Sequence, residues 1–187
     1  NPFEAVIKLD VLALGAHPDD VEMSCSGTLL AAVAAGKKVG IVDFTRGELG
    51  TRGTPETRAA EAEAASKLLQ LSARENLGLP DGFLKNDRGD RHPAHGRGAQ
   101  LATDACFLSG LRMIETLGHD GQPQAPWRPK NVYYYIQDRQ IVADFVVDIT
   151  PHWEGKWASI NAYGTQFFNK NADPAAPQTY LSGQTFA

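Results

Sequence analysis

Val11-Leu12-Ala13-Leu14-Gly15-Ala16-His17-Pro18-Asp19-Asp20-Val21-Glu22 is the stretch on which the reading turns. Its first half is a short, unbroken apolar run ending in small residues, the pattern of a strand buried on both faces. From Val21 to Gly36 the composition turns to Ala and Leu and closes on a glycine and two lysines, as a helix does. The residues between strand and helix are polar: a histidine and two carboxylates crowd one tight turn. That turn falls at the carboxyl end of a strand, where open α/β sheets bind their ligands.

Working outward, the same alternation recurs. Residues 38–44 read as a second buried strand, followed by a Gly- and Arg-rich loop over 45–53. Thr54 is placed to cap a helix with Pro55 at its first position, and the Ala/Glu-rich run extends that helix to about Leu71. Residues 76–79 predict a short third strand, and a helix is expected from Arg97 to about Leu117. A Pro-rich loop over 121–129 follows. Residues 132–136 and 145–149 read as strands and 153–168 as helical, with a loosely ordered tail after Asn169. Repeated strand-helix alternation predicts an α/β fold, a Rossmann-like three-layer sandwich with a mostly parallel sheet. The chain reads as a single domain over residues 1–187.

Composition narrows the function classes. The chain has 187 residues, 42% hydrophobic and 21% charged, which suits a globular domain and argues against wholesale disorder. A net charge of -4 argues against a nucleic-acid partner, whose phosphates call for a clustered positive surface. No apolar run approaches the ~20 residues that span a bilayer, so no membrane partner is expected. The opening residues are not expected to be a signal peptide, because their apolar run leads directly into the polar turn. Cys25 and Cys106 lie in Ala-rich helical patterns without partner spacing, the usage of small core residues in a reducing, cytoplasmic compartment.

Imidazole plus carboxylate is a donor set for catalytic zinc, which takes three protein ligands and keeps a position open for water. The bland alternative has Asp19 or Asp20 capping the helix and His17 at the surface. A second cluster weighs against it. Asp90-Arg91-His92-Pro93-Ala94-His95-Gly96 offers a His-x-x-His spacing before another helix, enough for a third ligand and a spare imidazole.

Ala16 to Glu22, the loop and helix start TRGELGTRGTPETRAAEA, the run RHPAHGR and the later AYGTQF resemble the LmbE/PIG-L family of zinc-dependent N-acetylglucosamine deacetylases. The further runs LPDGF, DACFLSGLR and NVYYYIQDR are similar to the branch that deacetylates N-acetylglucosaminyl malate in bacillithiol biosynthesis. Carried over position by position, the resemblance implies that His17, Asp20 and His95 bind zinc and that Asp19 is the general base. It implies that His92 stabilises the tetrahedral intermediate or protonates the departing amine, and that Tyr163 polarises the carbonyl. Arg58 matches a substrate-binding arginine, and Glu48 and Arg52 are expected to shape the sugar pocket. The implied partner is a small N-acetylated sugar conjugate, and the family's trimers or hexamers imply a homo-oligomer. Zn2+ is the implied cofactor, one per chain, though Fe(II), Co(II) or Ni(II) suit the same donors.

The sequence departs from that family in two places. Ala94 stands where the family has Asp, and an alanine can neither orient an imidazole nor raise its pKa. Between Leu79-Pro80-Asp81 and Asp90-Arg91-His92 only residues 82–89 intervene, where the family has a helix and a strand. A segment is therefore expected to be missing near residues 87–88, or the chain is a naturally or deliberately shortened form; a sheet without that strand would leave a gap beside the first strand and a poorly placed His95. A C-terminal helical segment also reads as absent. Both departures favour, as the alternative, a non-catalytic metal- or sugar-binding relative. A third reading, a nucleotide-binding Rossmann domain, is disfavoured, because two carboxylates at the helix start would repel a pyrophosphate and the chain reads His-Pro-Asp-Asp where a G-x-G-x-x-G is wanted.

Overall fold

The structure, a computed structural model, describes residues 7–82, 92–118, 120–137, 140–167, 169, 175, 177–179 and 181–182. Among the described residues the elements are, in order, β1 (Val11–Gly15), α1 (Asp20–Ala34), β2 (Val39–Thr45), α2 (Pro55–Leu68), β3 (Ala73–Leu79), α3 (Pro93–Leu108), a 3-10 turn over Thr150–His152, and α4 (Trp153–Asn161). The three strands form a parallel sheet in the order β1-β2-β3, with Val11 opposite Val39 and Gly40 opposite Ala73. All three strands therefore end on one side, where the loops after Gly15, Thr45 and Leu79 gather.

Alternation along the strands separates two faces. Ala13, Val39 and Ile41 pack with Val21, Leu29 and Leu30 of α1 and with Leu69 into one apolar core. Phe44 points the other way and meets α3, where a Cβ on Gly98 would lie 3.2 Å from its ring. The sheet thus has α1 on one face and α3 on the other, the three layers expected. A second apolar cluster, Ala62, Ala65, Ile160, Tyr163 and Phe167, joins α2 to α4.

Local signals set the start of α2 and the end of α1 as the sequence predicts, while α2 ends at Leu68, short of Leu71. Thr54 accepts from the Thr57 amide at 3.2 Å while Thr57 Oγ1 accepts from the Thr54 amide at 2.7 Å, a reciprocal cap with Pro55 at the first position. Gly36, at φ 77°, takes the left-handed turn that ends α1.

Three expectations need correction. Residues 132–136 and 145–149 form no strands. Strand-forming residues need a partner ladder for their backbone groups, and β1 pairs only with β2 among the described residues. The segment still runs beside the sheet: the Tyr135 hydroxyl donates to the Leu14 carbonyl at 2.8 Å, and Ile149 fills the space over Gly27. Val142 and Val146 stay exposed, and Leu12 of β1 is half exposed. Second, α3 ends at Leu108 rather than near Leu117, and α4 at Asn161 rather than near 168. Third, His95 is well placed, as described below. The segment expected to be missing near residues 87–88 lies outside the described residues.

Candidate active site

The turn between β1 and α1 is built by its own backbone and by Arg58. The carboxylate of Asp20 accepts from the His17 amide at 2.9 Å, and the Asp20 amide donates back to the His17 carbonyl at 3.3 Å. Arg58, on the first turns of α2, donates to the Pro18 carbonyl at 2.5 Å and the Gly47 carbonyl at 3.3 Å. Its guanidinium also stands 3.2 Å from Asp19 Oδ2. One buried cation thus pins the polar turn to the neighbouring loop. The shape strains the backbone of Asp19, which sits at φ 114°, ψ -26°, a conformation that residues with a Cβ rarely adopt.

Around this turn three imidazoles meet. The ring centroids of His17 and His92 lie 4.8 Å apart, those of His92 and His95 4.8 Å, and those of His17 and His95 5.7 Å. Asp20 joins two of them: its Oδ2 is 3.4 Å from His17 Nδ1 and its Oδ1 3.2 Å from His95 Nε2. The first turn of α3 delivers His95, and the Gly98–Phe44 contact allows that turn to sit against the sheet. This is why His95 reaches the site despite the short connection before it.

The donors fit a divalent ion. Two ligand atoms about 2.0–2.1 Å from zinc at a tetrahedral angle lie about 3.4 Å apart, close to both spacings about Asp20. Each oxygen of Asp20 faces a different imidazole, so one ion would be held by both oxygens or after a small turn of the carboxylate. His92 offers a further nitrogen, since donor atoms of all three histidines lie within 4.8 Å of one another.

Electrostatics separate the two adjacent carboxylates. Burial raises the pKa of Asp19 to about 8, against the pull of Arg58. Burial would do the same to Asp20, but hydrogen bonds from His17 and His95 outweigh it and hold Asp20 far below the usual carboxylate range. Burial disfavours charge on His17 too, yet Asp20 and Asp81 overcome it and raise its pKa. His92 is lowered, first by burial and then by the charges of His17 and His95. Neighbouring groups pushed apart in this way are the mark of acid-base sites.

The other predicted residues scatter. Glu48 is at the rim, its Oε1 accepting from the Asp81 amide at 2.7 Å. Arg52 sits in a separate cleft with Glu61, Asn161 and Thr165, its carbonyl accepting from Gln166 at 2.8 Å. Arg58 is buried under the turn rather than open to a ligand, because the Pro18 and Gly47 carbonyls and Asp19 engage it. Tyr163 is corrected outright: it has no exposed surface and its hydroxyl donates to Glu22 Oε1 at 3.1 Å. It belongs to the α2–α4 core. Ala94 is buried, 2% exposed.

Two residues escaped the sequence reading. Gln137 donates to Asp20 Oδ1 at 3.1 Å, and Asp81 Oδ1 is 3.2 Å from His17 Nε2. Both lie in runs already noted, IQDR and LPDG, but nothing local to those runs says what they touch.

Comparison with known proteins agrees with this architecture. The family model described as GlcNAc-PI de-N-acetylase (PIG-L) matches residues 12–97. The uncharacterized deacetylase YaiS of Escherichia coli K12 is 35% identical over 71 residues, 38% of this chain and 38% of that protein. The alignment thus spans well under half of that curated relative. The conserved protein TT1542 from Thermus thermophilus is 36% identical with a TM-score of 0.78, covering 86% of this chain and 80% of that one. N,N'-diacetylchitobiose deacetylase from Pyrococcus horikoshii superposes with a TM-score of 0.66 at 23% identity, covering 84% of this chain and 70% of that one. At that identity the likeness speaks for the fold alone.

Proposed function

The chain belongs to the PIG-L/LmbE family of deacetylases, and from that premise we propose that it hydrolyses the N-acetyl group of an N-acetylglucosaminyl conjugate. N-acetylglucosaminyl malate is the substrate we assign, on the likeness of LPDGF and NVYYYIQDR to the bacillithiol branch. The observation that carries the reaction type is the adjacency of Asp19 and Asp20. One is turned to His17 and His95 and the other left free of them, with opposed proton affinities.

In this reading His17, Asp20 and His95 hold a divalent ion, zinc by donor type. When bound, that ion supplies Lewis acidity, polarising an amide carbonyl and acidifying water. Asp19 then takes the proton of the attacking water, being next in the chain to a ligand and steadied by Arg58. His92, more exposed than its two neighbours and neutral at rest, donates a hydrogen bond to the carbonyl oxygen as it gains charge, and the proton taken by Asp19 passes to the departing amine, directly or through His92. Glu48 lies at the rim where a sugar would enter.

Ala94 favours a second reading, a relative that holds metal or sugar without turning over. No carboxylate at that position orients or charges His92. Acetate release from N-acetylglucosaminyl malate by the zinc-loaded protein, beside free N-acetylglucosamine and a chelated control, separates the two. Metal-dependent release favouring the malate conjugate is the expected result. No release from protein shown to hold one zinc per chain gives the lead to the second reading.

A further inference from the structure

We propose that Asp81 is the positioning residue for His17, fixing the imidazole so that Nδ1 is presented to the metal; this rests on the reading of His17 as a ligand. Asp81 follows the end of β3, at the carboxyl edge of the sheet. Its Oδ1 lies 3.2 Å from His17 Nε2, on the opposite side of the ring from the Nδ1–Asp20 contact. Its side chain is 7% exposed, so the contact is shielded from water.

Asp81 is itself held. Its Oδ2 accepts from the Leu49 amide at 3.2 Å, its Oδ1 from the Gly82 amide at 2.8 Å, and its own amide donates to Glu48 Oε1 at 2.7 Å. The carboxylate is therefore fixed between the β3 end and the Glu48 loop before it meets His17.

The consequence follows from donor chemistry. An ionised carboxylate only accepts hydrogen bonds, so the nitrogen facing it must carry the proton. A neutral His17 with its proton on Nε2 has a free lone pair on Nδ1, the nitrogen turned toward Asp20. Carboxylates behind ligating histidines set the tautomer and ring orientation, and removing them weakens metal binding about 10–100-fold. Asp81 cannot itself share an ion with Nδ1, because the two ring nitrogens point apart.

The test compares zinc affinity, by competition with a chromogenic chelator, in the wild type, Asp81→Asn, Asp81→Ala, His17→Ala and the His17→Ala/Asp81→Ala pair. Nitrogen-15 spectra of the zinc-loaded imidazoles supply a readout that a merely structural role would not move. We expect Asp81→Asn and Asp81→Ala to weaken zinc binding about 10–100-fold. At saturating zinc the His17 signal should change from a single Nδ1-bound, Nε2–H form to a mixture of ring orientations, and Asp81→Ala should add no loss once His17 is gone. Wild-type zinc affinity and an unchanged His17 signal in both Asp81 variants overturn the inference while leaving His17 a ligand. Unchanged affinity in His17→Ala overturns the ligand reading itself. Full additivity of the two alanine changes shows Asp81 acting independently of His17 and overturns the inference too.

Discussion

The hydroxyl of Tyr163 donates a 3.1 Å hydrogen bond to Glu22 Oε1 where neither residue has any exposed surface. Burial, and then the charge of Glu22, raises the tyrosine pKa well above its ordinary value, so the group stays a donor. Tyr163→Phe should therefore act on stability and not on chemistry. Glu22 Oε1 keeps its bond from Arg74, so the expected loss in urea unfolding is about 1.5–3 kcal/mol, the range for one hydrogen bond to a charged group, with kcat within about threefold of wild type. A hundredfold fall in kcat at unchanged stability would return Tyr163 to the active site.

Arg74 is the cation of the same interior. It meets Asp43 through two bonds, Nε to Oδ2 at 2.8 Å and Nη2 to Oδ1 at 3.0 Å, and Glu22 through Nη1 at 2.6 Å. Arg74→Met leaves two buried carboxylates without their counter-ion. Breaking a buried pair costs about 3–5 kcal/mol, so the variant should unfold at markedly lower urea or fail to accumulate as folded protein. A loss under about 1 kcal/mol would show that water reaches this network.

Asp19 and Asp20, adjacent in sequence, should separate under conservative substitution. Asp19→Asn should keep its zinc through gel filtration and lose about 10²–10⁴ in acetate release, the span of general-base catalysis. Asparagine tolerates the positive φ at this position, so the turn is retained. Asp20→Asn should instead lose zinc. An Asp19→Asn protein retaining more than a tenth of wild-type activity would remove Asp19 from the role of base.

At position 94 two effects oppose each other. Ala94→Asp would supply a carboxylate to orient and charge His92, raising kcat severalfold while leaving zinc affinity within about threefold. The site is buried, 2% exposed, so the same change should lower the melting temperature. Steady-state kinetics with a thermal melt checks both, and an unchanged kcat would show that His92 works without a carboxylate there.

How far the sequence could be read depended on how local each signal was. The β1 run, the polar turn and the Thr54–Pro55 cap are written in adjacent residues, and the structure follows them. The LPDG run was visible but the use of Asp81 was not: it meets His17 across 64 positions, through the parallel pairing that brings the ends of β1 and β3 to one edge. Tyr163 misled for a related reason, since its depth is set by packing between α2 and α4. Residues 132–149 carry strand-forming side chains, but propensity alone gives the backbone no partner.

The left-handed backbone at Asp19, φ 114°, has an evolutionary consequence. Glycine adopts such angles freely, whereas another residue held there costs about 1–3 kcal/mol. A library at position 19 selected only for heat resistance should drift to glycine, and one selected for turnover should return to aspartate. The difference in melting temperature between the two winners would measure how much folding stability this chain gives up for a carboxylate at that turn.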